Sequence, residues 1–113
     1  MKVIIAGSRG IEDYSQVKLA IELSQFYVSE VVSGCARGVD KIGEYWAKKH
    51  DIPIKRFPAN WKSGKMAGLI RNIEMANYAD ALIAVWDGQS RGTKHMIECA
   101  KRKKLDVFVW EVK

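Results

Sequence analysis

The chain has 113 residues, 48% of them hydrophobic and 28% charged, a composition that lets a globular fold bury a core without metal or disulfide staples. No apolar run approaches a membrane span, and the opening run Val3-Ile4-Ile5-Ala6 is too short for a signal peptide, so a cytoplasmic protein is expected. The net charge of +6 favours an anionic partner without naming it, while two cysteines (Cys35, Cys99) and two histidines (His50, His95) fall short of a structural zinc site.

The expected elements alternate along the chain. Val3-Ile4-Ile5-Ala6 is a continuous apolar run closed by Gly7, the pattern of a strand buried on both faces. Residues 14–27 follow, with Val17, Ala20, Ile21 and Leu23 near helical spacing. Val31-Val32 reads as a strand, 39–50 as a helix carrying Val39, Ile42, Tyr45 and Trp46, and 53–57 as a third strand. Pro53 and Pro58 sit at the edges of that strand, where a missing N–H costs least. A helix over 65–78, a strand over 81–86, a helix over 92–103 and a strand over 107–110 complete the order. No linker, repeat or low-complexity tract divides residues 1–113, so one domain is expected. Trp46, Trp86 and Trp110 lie on apolar faces and are expected in the core, with Met66 and Met75 as filler. Lys101-Arg102-Lys103-Lys104 ends the fourth helix, where cations complement the macrodipole on a solvated face; without those four charges the excess is +2.

This order predicts a Rossmann-like α/β fold: a doubly wound parallel sheet of about five strands in the order 3-2-1-4-5, with helices on both faces. Such sheets bind ligands beyond the carboxyl ends of the strands, at the crevice between strands one and four. The sequence carries the matching asymmetry. Gly7-Ser8-Arg9-Gly10 follows the first strand and Ser33-Gly34-Cys35-Ala36-Arg37-Gly38-Val39-Asp40 the second. Asp87-Gly88-Gln89-Ser90-Arg91-Gly92-Thr93 follows the fourth, whereas the opposite connections, His50-Asp51-Ile52 and Ala79-Asp80, are plain.

Taken singly, each loop reads as a turn with a helix cap; Ser33 and Thr93 suit that role. Three such loops at one edge favour an anion site, because glycine lets backbone N–H groups converge on a ligand and a helix N-terminus adds unpaired donors. Gly7, Ser8, Arg9, Gly92 and Thr93 are the candidate phosphate ligands, with Ser33, Gly34, Arg37, Gly38, Asp87, Gly88 and Ser90 beside them. Asp40 suits either a ribose hydroxyl or a helix cap. Arg71 and Asn72 interrupt an apolar stretch (Ala67, Leu69, Ile70, Ile73) and are expected to face the cleft, holding ribose, base or a second phosphate. Trp61 is placed to stack on a base.

The segments Val-Ile-Ile-Ala-Gly-Ser-Arg at 3–9, Ser-Gly-Cys-Ala-Arg-Gly-Val-Asp at 33–40, Ala-Gly-Leu-Ile-Arg-Asn at 67–72, Ala-Asp-Ala-Leu-Ile-Ala at 79–84 and Trp-Asp-Gly-Gln-Ser-Arg-Gly-Thr at 86–93 resemble the YspA/YpsA-related SLOG family. The resemblance implies a Rossmann-like domain binding a nucleotide or nucleotide-derived ligand. The wider superfamily includes the "lonely guy" phosphoribohydrolases, molybdenum-cofactor carriers and a DNA-processing protein of natural transformation. The phosphoribohydrolases use an R-K-x-x-M motif and a P-G-G-x-G-T-x-x-E loop, whose Arg and Glu serve cleavage. Arg71-Asn72-Ile73-Glu74-Met75 resembles the first with Asn for Lys; in the second, Asp87-Gly88-Gln89-Ser90 departs and Met96 stands where the Glu belongs. Glu98 is two residues further on, pointing ~200° away at about 100° per residue.

The expected function is therefore binding of a nucleotide-derived small molecule, such as a signalling nucleotide or an ADP-ribose-like compound, with no metal, no cofactor and no catalysis. One rival is an N-glycosidic hydrolase using Arg71, Glu74 or Glu98. The weaker rival is single-stranded nucleic-acid binding, suggested by the basic balance and the DNA-processing branch. A homo-oligomer is left open.

Overall fold

A computed structural model describes residues 1–112, so the last residue of the expected unit lies outside it. Five strands form one parallel sheet: β1 (Lys2–Gly7), β2 (Glu30–Ser33), β3 (Ile54–Arg56), β4 (Ala81–Trp86) and β5 (Asp106–Glu111). Their order is β3-β2-β1-β4-β5, as expected from the sequence. Helices α1 (Tyr14–Ser24), α2 (Val39–Lys49), α3 (Ala67–Tyr78) and α4 (Arg91–Arg102) connect them, with a short 3-10 turn at Trp61–Ser63. None of these helices is long and apolar enough to cross a membrane.

Alternation along the central strands assigns each side chain to a face. Val3 and Ile5 of β1, with Ile83 and Val85 of β4, point to one side and pack on α1 and α2 through Val17, Ile21, Val39 and Trp46. Ile4 and Ala6, with Leu82 and Ala84, point to the other and pack on α3 and α4 through Met75, Ala76, Met96 and Ile97. Both faces of β1 and β4 are thus covered, which is why their sequences are continuously apolar rather than alternating. Trp46 is buried, and Trp86 and Trp110 pack against the two cores, as expected. Met75 is buried too, whereas Met66, expected as filler, is exposed just ahead of α3.

Element ends differ from the sequence reading by a few residues for identifiable reasons. Asp13 caps α1 by accepting from the Ser15 N–H at 2.9 Å; the helix stops at Ser24, not 27, because Gln25 turns left-handed at φ 60°. α3 begins at Ala67, not 65, since Gly64 at φ 91° separates it from the 3-10 turn that Asn60 caps.

Two glycines set how closely the site-forming segments approach. A Cβ on Gly7 would lie 2.0 Å from the Val85 carbonyl oxygen and 2.8 Å from the Val39 side chain, so the end of β1 fits between β4 and α2 only as glycine. Gly38, at φ 73°, brings the start of α2 against the Ser8 and Arg9 carbonyls, where a Cβ would sit at 2.6 Å. Because its obstruction is backbone, Gly7→Ala is expected to cost more than the roughly 1–3 kcal/mol of ordinary overpacking. Gly10→Ala, whose Cβ meets nothing within 4 Å, should leave stability within about 0.5 kcal/mol. Urea unfolding of the two variants against wild type checks the contrast; equal midpoints would refute the packing role of Gly7.

Candidate functional site

After β3 the chain crosses to the far side of β1 to lay down β4, so the loops after β1 and β4 part in opposite directions. Between them opens a cleft of about 490 Å³ at the carboxyl edge of the sheet, within the ~300–1,000 Å³ usual for small-molecule sites. Its floor and one wall come from Gly7, Ser8 and Arg9 after β1 and from Asp87, Ser90, Gly92 and Thr93 around the start of α4. Asp40 of α2, Arg71 and Asn72 of α3, and Trp61 close the rest.

Hydrogen bonds fix this frame. Asp87 Oδ1 accepts from the Gln89 and Ser90 N–H groups, each at 2.8 Å, which folds the loop tightly and holds the exposed carboxyl below its ordinary pKa. The Asp87 N–H in turn donates to the buried Ser8 hydroxyl at 3.0 Å, tying the two loops together across the switch point. Trp86 donates its indole N–H to the Ser90 carbonyl at 3.1 Å. The cap of α4 is Ser90 rather than Thr93: its hydroxyl oxygen accepts from the Thr93 N–H at 3.3 Å and from the Thr93 hydroxyl at 3.0 Å. That cap leaves the N–H groups of Arg91 and Gly92, which helix geometry cannot satisfy internally. Gly92 is exposed, and a Cβ there would meet nothing within 4 Å, so open space faces this helix start.

Arg71 and Asn72 are both buried, as a cleft-facing pair should be, but much of their bonding capacity serves the frame. Arg71 donates Nη1–H to the Gly34 carbonyl and Nε–H to Asn72 Oδ1 at 3.1 Å. Asn72 donates to the Gly92 carbonyl at 3.3 Å and lies 3.1 Å from His95 Nδ1. Asp40 sits in the first turn of α2, where its carboxylate accepts from the Ala36 N–H at 3.2 Å, bracing the loop before the helix while one side still lines the cleft.

Other expected site residues fall elsewhere. Ser33 is fully buried and donates its hydroxyl to Glu44 Oε2 at 2.6 Å, and Glu44 also pairs with Arg56 at 3.0 Å, so this serine serves packing between β2, α2 and β3. Gly38 acts through close backbone approach, and Gly88, at φ 81°, turns the chain beside Glu111. Gly34 and Arg37 line a neighbouring hollow instead of the cleft. Glu74 and Glu98 are exposed and line neither. Met96 is buried in the cleft wall where a catalytic Glu would stand. Lys65 and Gly68 also line the cleft, missed because helical spacing shows which residues pack inward but not which ones border a cleft built by distant loops.

A Rossmann-like sheet with a polar cleft at its switch point defines the class of this chain. The profile of the YspA, cpYpsA-related SLOG family matches residues 1–64. Gene 61 protein of Mycobacterium phage D29 is 37% identical over 117 residues, covering 95% of this chain and 94% of that protein. No solved structure matches the chain. The chain belongs to the YspA, cpYpsA-related SLOG family. The profile spans the loops after β1 and β2, and the similarity to the phage protein extends over most of the chain.

Burial pushes the Asp40 carboxyl up to about 6, against the opposing pull of the Ala36 N–H, the Arg71 charge and the Gly7 backbone. The native state therefore holds this proton more tightly than the unfolded chain. The resulting contribution favours folding fully below pH 3.8 and is lost as pH rises through 6. At ~1.4 kcal/mol per pKa unit, the loss is roughly 3 kcal/mol. Asp40→Asn removes the titration, so its stability relative to wild type should improve by most of that amount between pH 4 and pH 7. Urea unfolding across that range measures it; a difference independent of pH would refute the assignment.

Proposed function

We propose that the cleft binds a nucleotide or nucleotide-derived small molecule, of the signalling-nucleotide or ADP-ribose-like kind, and holds it without cleaving it. The observation that carries this reading is the start of α4. Ser90, Gly92 and Thr93 at this helix start line the cleft with the loop after β1, a Cβ on Gly92 would meet nothing within 4 Å, and the first-turn N–H groups of Arg91 and Gly92 have no intrahelical acceptor. Arg9 and Lys65 add exposed positive charge at the rim, and Trp61 offers a ring face for a base. SLOG membership supports a nucleotide-related ligand. The basic run Lys101–Lys104 lies at the other end of α4, ~17 Å along a twelve-residue helix, so it supplies no charge to the cleft.

The hydrolase rival retains one specific point in its favour. Asp40 lines the cleft with a carboxyl at about 6, within the range a general acid uses. Its N–H acceptor role and burial favour a bracing function; the cleft's other carboxyl, Asp87, is engaged by the Gln89 and Ser90 N–H groups, and Glu74 and Glu98 do not line the cleft. Wild-type protein is therefore expected to release no free base from the four nucleoside 5′-monophosphates above background, measured chromatographically after long incubation. Base release abolished by Asp40→Asn would make the chain a hydrolase.

Gly92→Val tests the binding reading itself. The branched side chain fills the space before the Arg91 and Gly92 N–H groups, and nucleotide affinity should fall about tenfold or more. Stability should move by less than ~1 kcal/mol, because valine is no worse than glycine in a helix. Calorimetry and urea unfolding on the same samples check both; unchanged affinity would remove the α4 start from the site.

A further inference from the structure

Beside the cleft lies a second hollow of about 390 Å³, bounded by the loop after β2 and by Pro58 and Ala59. The two share a wall made by Arg9, Trp61 and Arg71. Their charge differs. In the cleft, Arg9, Lys65 and Arg71 face two carboxyls, those of Asp40 and Asp87. Three arginines, Arg9, Arg37 and Arg71, line the hollow, and no Asp or Glu does. None of the three is in an ion pair among the described residues, where Glu44 takes both Lys41 and Arg56.

Asp40 attracts Arg71 from the cleft side, but Arg9 and Arg37 have no carboxylate partner among the described residues, so the hollow keeps an excess of positive charge that favours an anion. An exposed arginine is commonplace, but Arg71 is 9% exposed. Its Nε and Nη1 are engaged by Asn72 and Gly34, and Nη2 has no protein partner among the described residues. That nitrogen is not sealed from solvent either, since no buried side-chain polar atom lacks a partner among those residues. Arg71 thus keeps a donor at the boundary of cleft and hollow. Trp61 stands beside it, 59% exposed, with its ring against Gly68 at 3.4 Å from where a Cβ would be and the Arg9 guanidinium 5.9 Å from its centroid. The Arg9 guanidinium lies near the ring without covering it, and the exposed remainder of the indole is open to a nucleobase.

We infer that the hollow is a second anion subsite, and that the ligand is a nucleotide with two phosphate groups separated by a nucleoside. The first phosphate lies at the start of α4, the second among Arg9, Arg37 and Arg71, and the intervening nucleoside against Trp61. A 3′,5′-bisphosphate and a 5′-phosphorylated dinucleotide both present this chemistry. The inference rests on the binding reading above, and the experiment separates the two.

Calorimetric titration at fixed salt with the 5′-monophosphate, 5′-diphosphate, 3′,5′-bisphosphate and 5′-phosphorylated dinucleotide of each base provides the test. For at least one base, the bisphosphate or the dinucleotide should bind about tenfold tighter than both the monophosphate and the diphosphate, the gain expected of one charge-assisted contact. The diphosphate adds its charge at the same end, so a gain shared by it would indicate unspecific attraction and overturn the inference. Whichever of the bisphosphate and dinucleotide gains more identifies the source of the second phosphate. Arg37→Ala, an exposed position outside the cleft, should abolish the gain while leaving monophosphate affinity within about twofold. Equal losses for monophosphate and bisphosphate, or no loss for either, would overturn the inference. Monophosphate binding without any gain for the longer ligands defeats the second subsite alone; no binding by any of the compounds defeats the binding reading and this inference together.

Discussion

The arrangement of the cleft depends on two adjacent residues of α3. Arg71 holds the Gly34 carbonyl after β2, Asn72 holds the Gly92 carbonyl at the start of α4, and the two side chains are bonded to each other. One buried turn of helix thereby sets the positions of two loops that are far apart in sequence. The third loop is joined through Ser8, which accepts from the Asp87 N–H. Burying an arginine and an asparagine is costly unless their donors and acceptors are used, so the brace persists only while both loops stay in place. Cleft shape and local stability are linked through the same bonds.

This division of labour explains why the fold was legible in the sequence and the site only partly so. The strands and helices follow from continuous apolar runs alternating with helical spacing, and a strict alternation leaves little choice of topology. The edge at which the glycine-rich loops gather was legible for the same reason. The roles of individual residues were not, because sequence spacing does not tell a donor that faces a ligand from one that faces a carbonyl. Ser33 looked like a loop hydroxyl and is instead buried against Glu44, whose own burial on α2 no motif announces. Arg71 and Asn72 line the cleft, yet their partners Gly34 and Gly92 are 37 and 20 residues away and become visible only in three dimensions. The division of the loop residues into a cleft and a hollow depends on how Trp61 lies across α3, which a 3-10 turn with no periodic signal decides.

Binding and cleavage need different things from such a cleft. Holding a phosphate requires backbone donors and room; the first turn of α4 has N–H groups without intrahelical acceptors, and space above Gly92. Cleaving a glycosidic bond requires a correctly placed acid or base, and the position on α4 nearest that role carries buried Met96. Asp40 is the cleft's buried carboxyl, but it sits on α2 and is engaged by the Ala36 N–H. This is the basis of the proposed reading of the cleft as a site that retains its ligand.

The central claim is that an anionic ligand docks on the start of α4 and the loop after β1. Backbone amide NMR of isotope-labelled protein titrated with nucleoside 5′-phosphates tests it most directly. The account predicts saturable shifts concentrated at Arg9, Gly10, Arg91 and Gly92, with little change at Lys101–Lys104. Shifts confined to that basic run, or none at saturating nucleotide, would contradict it.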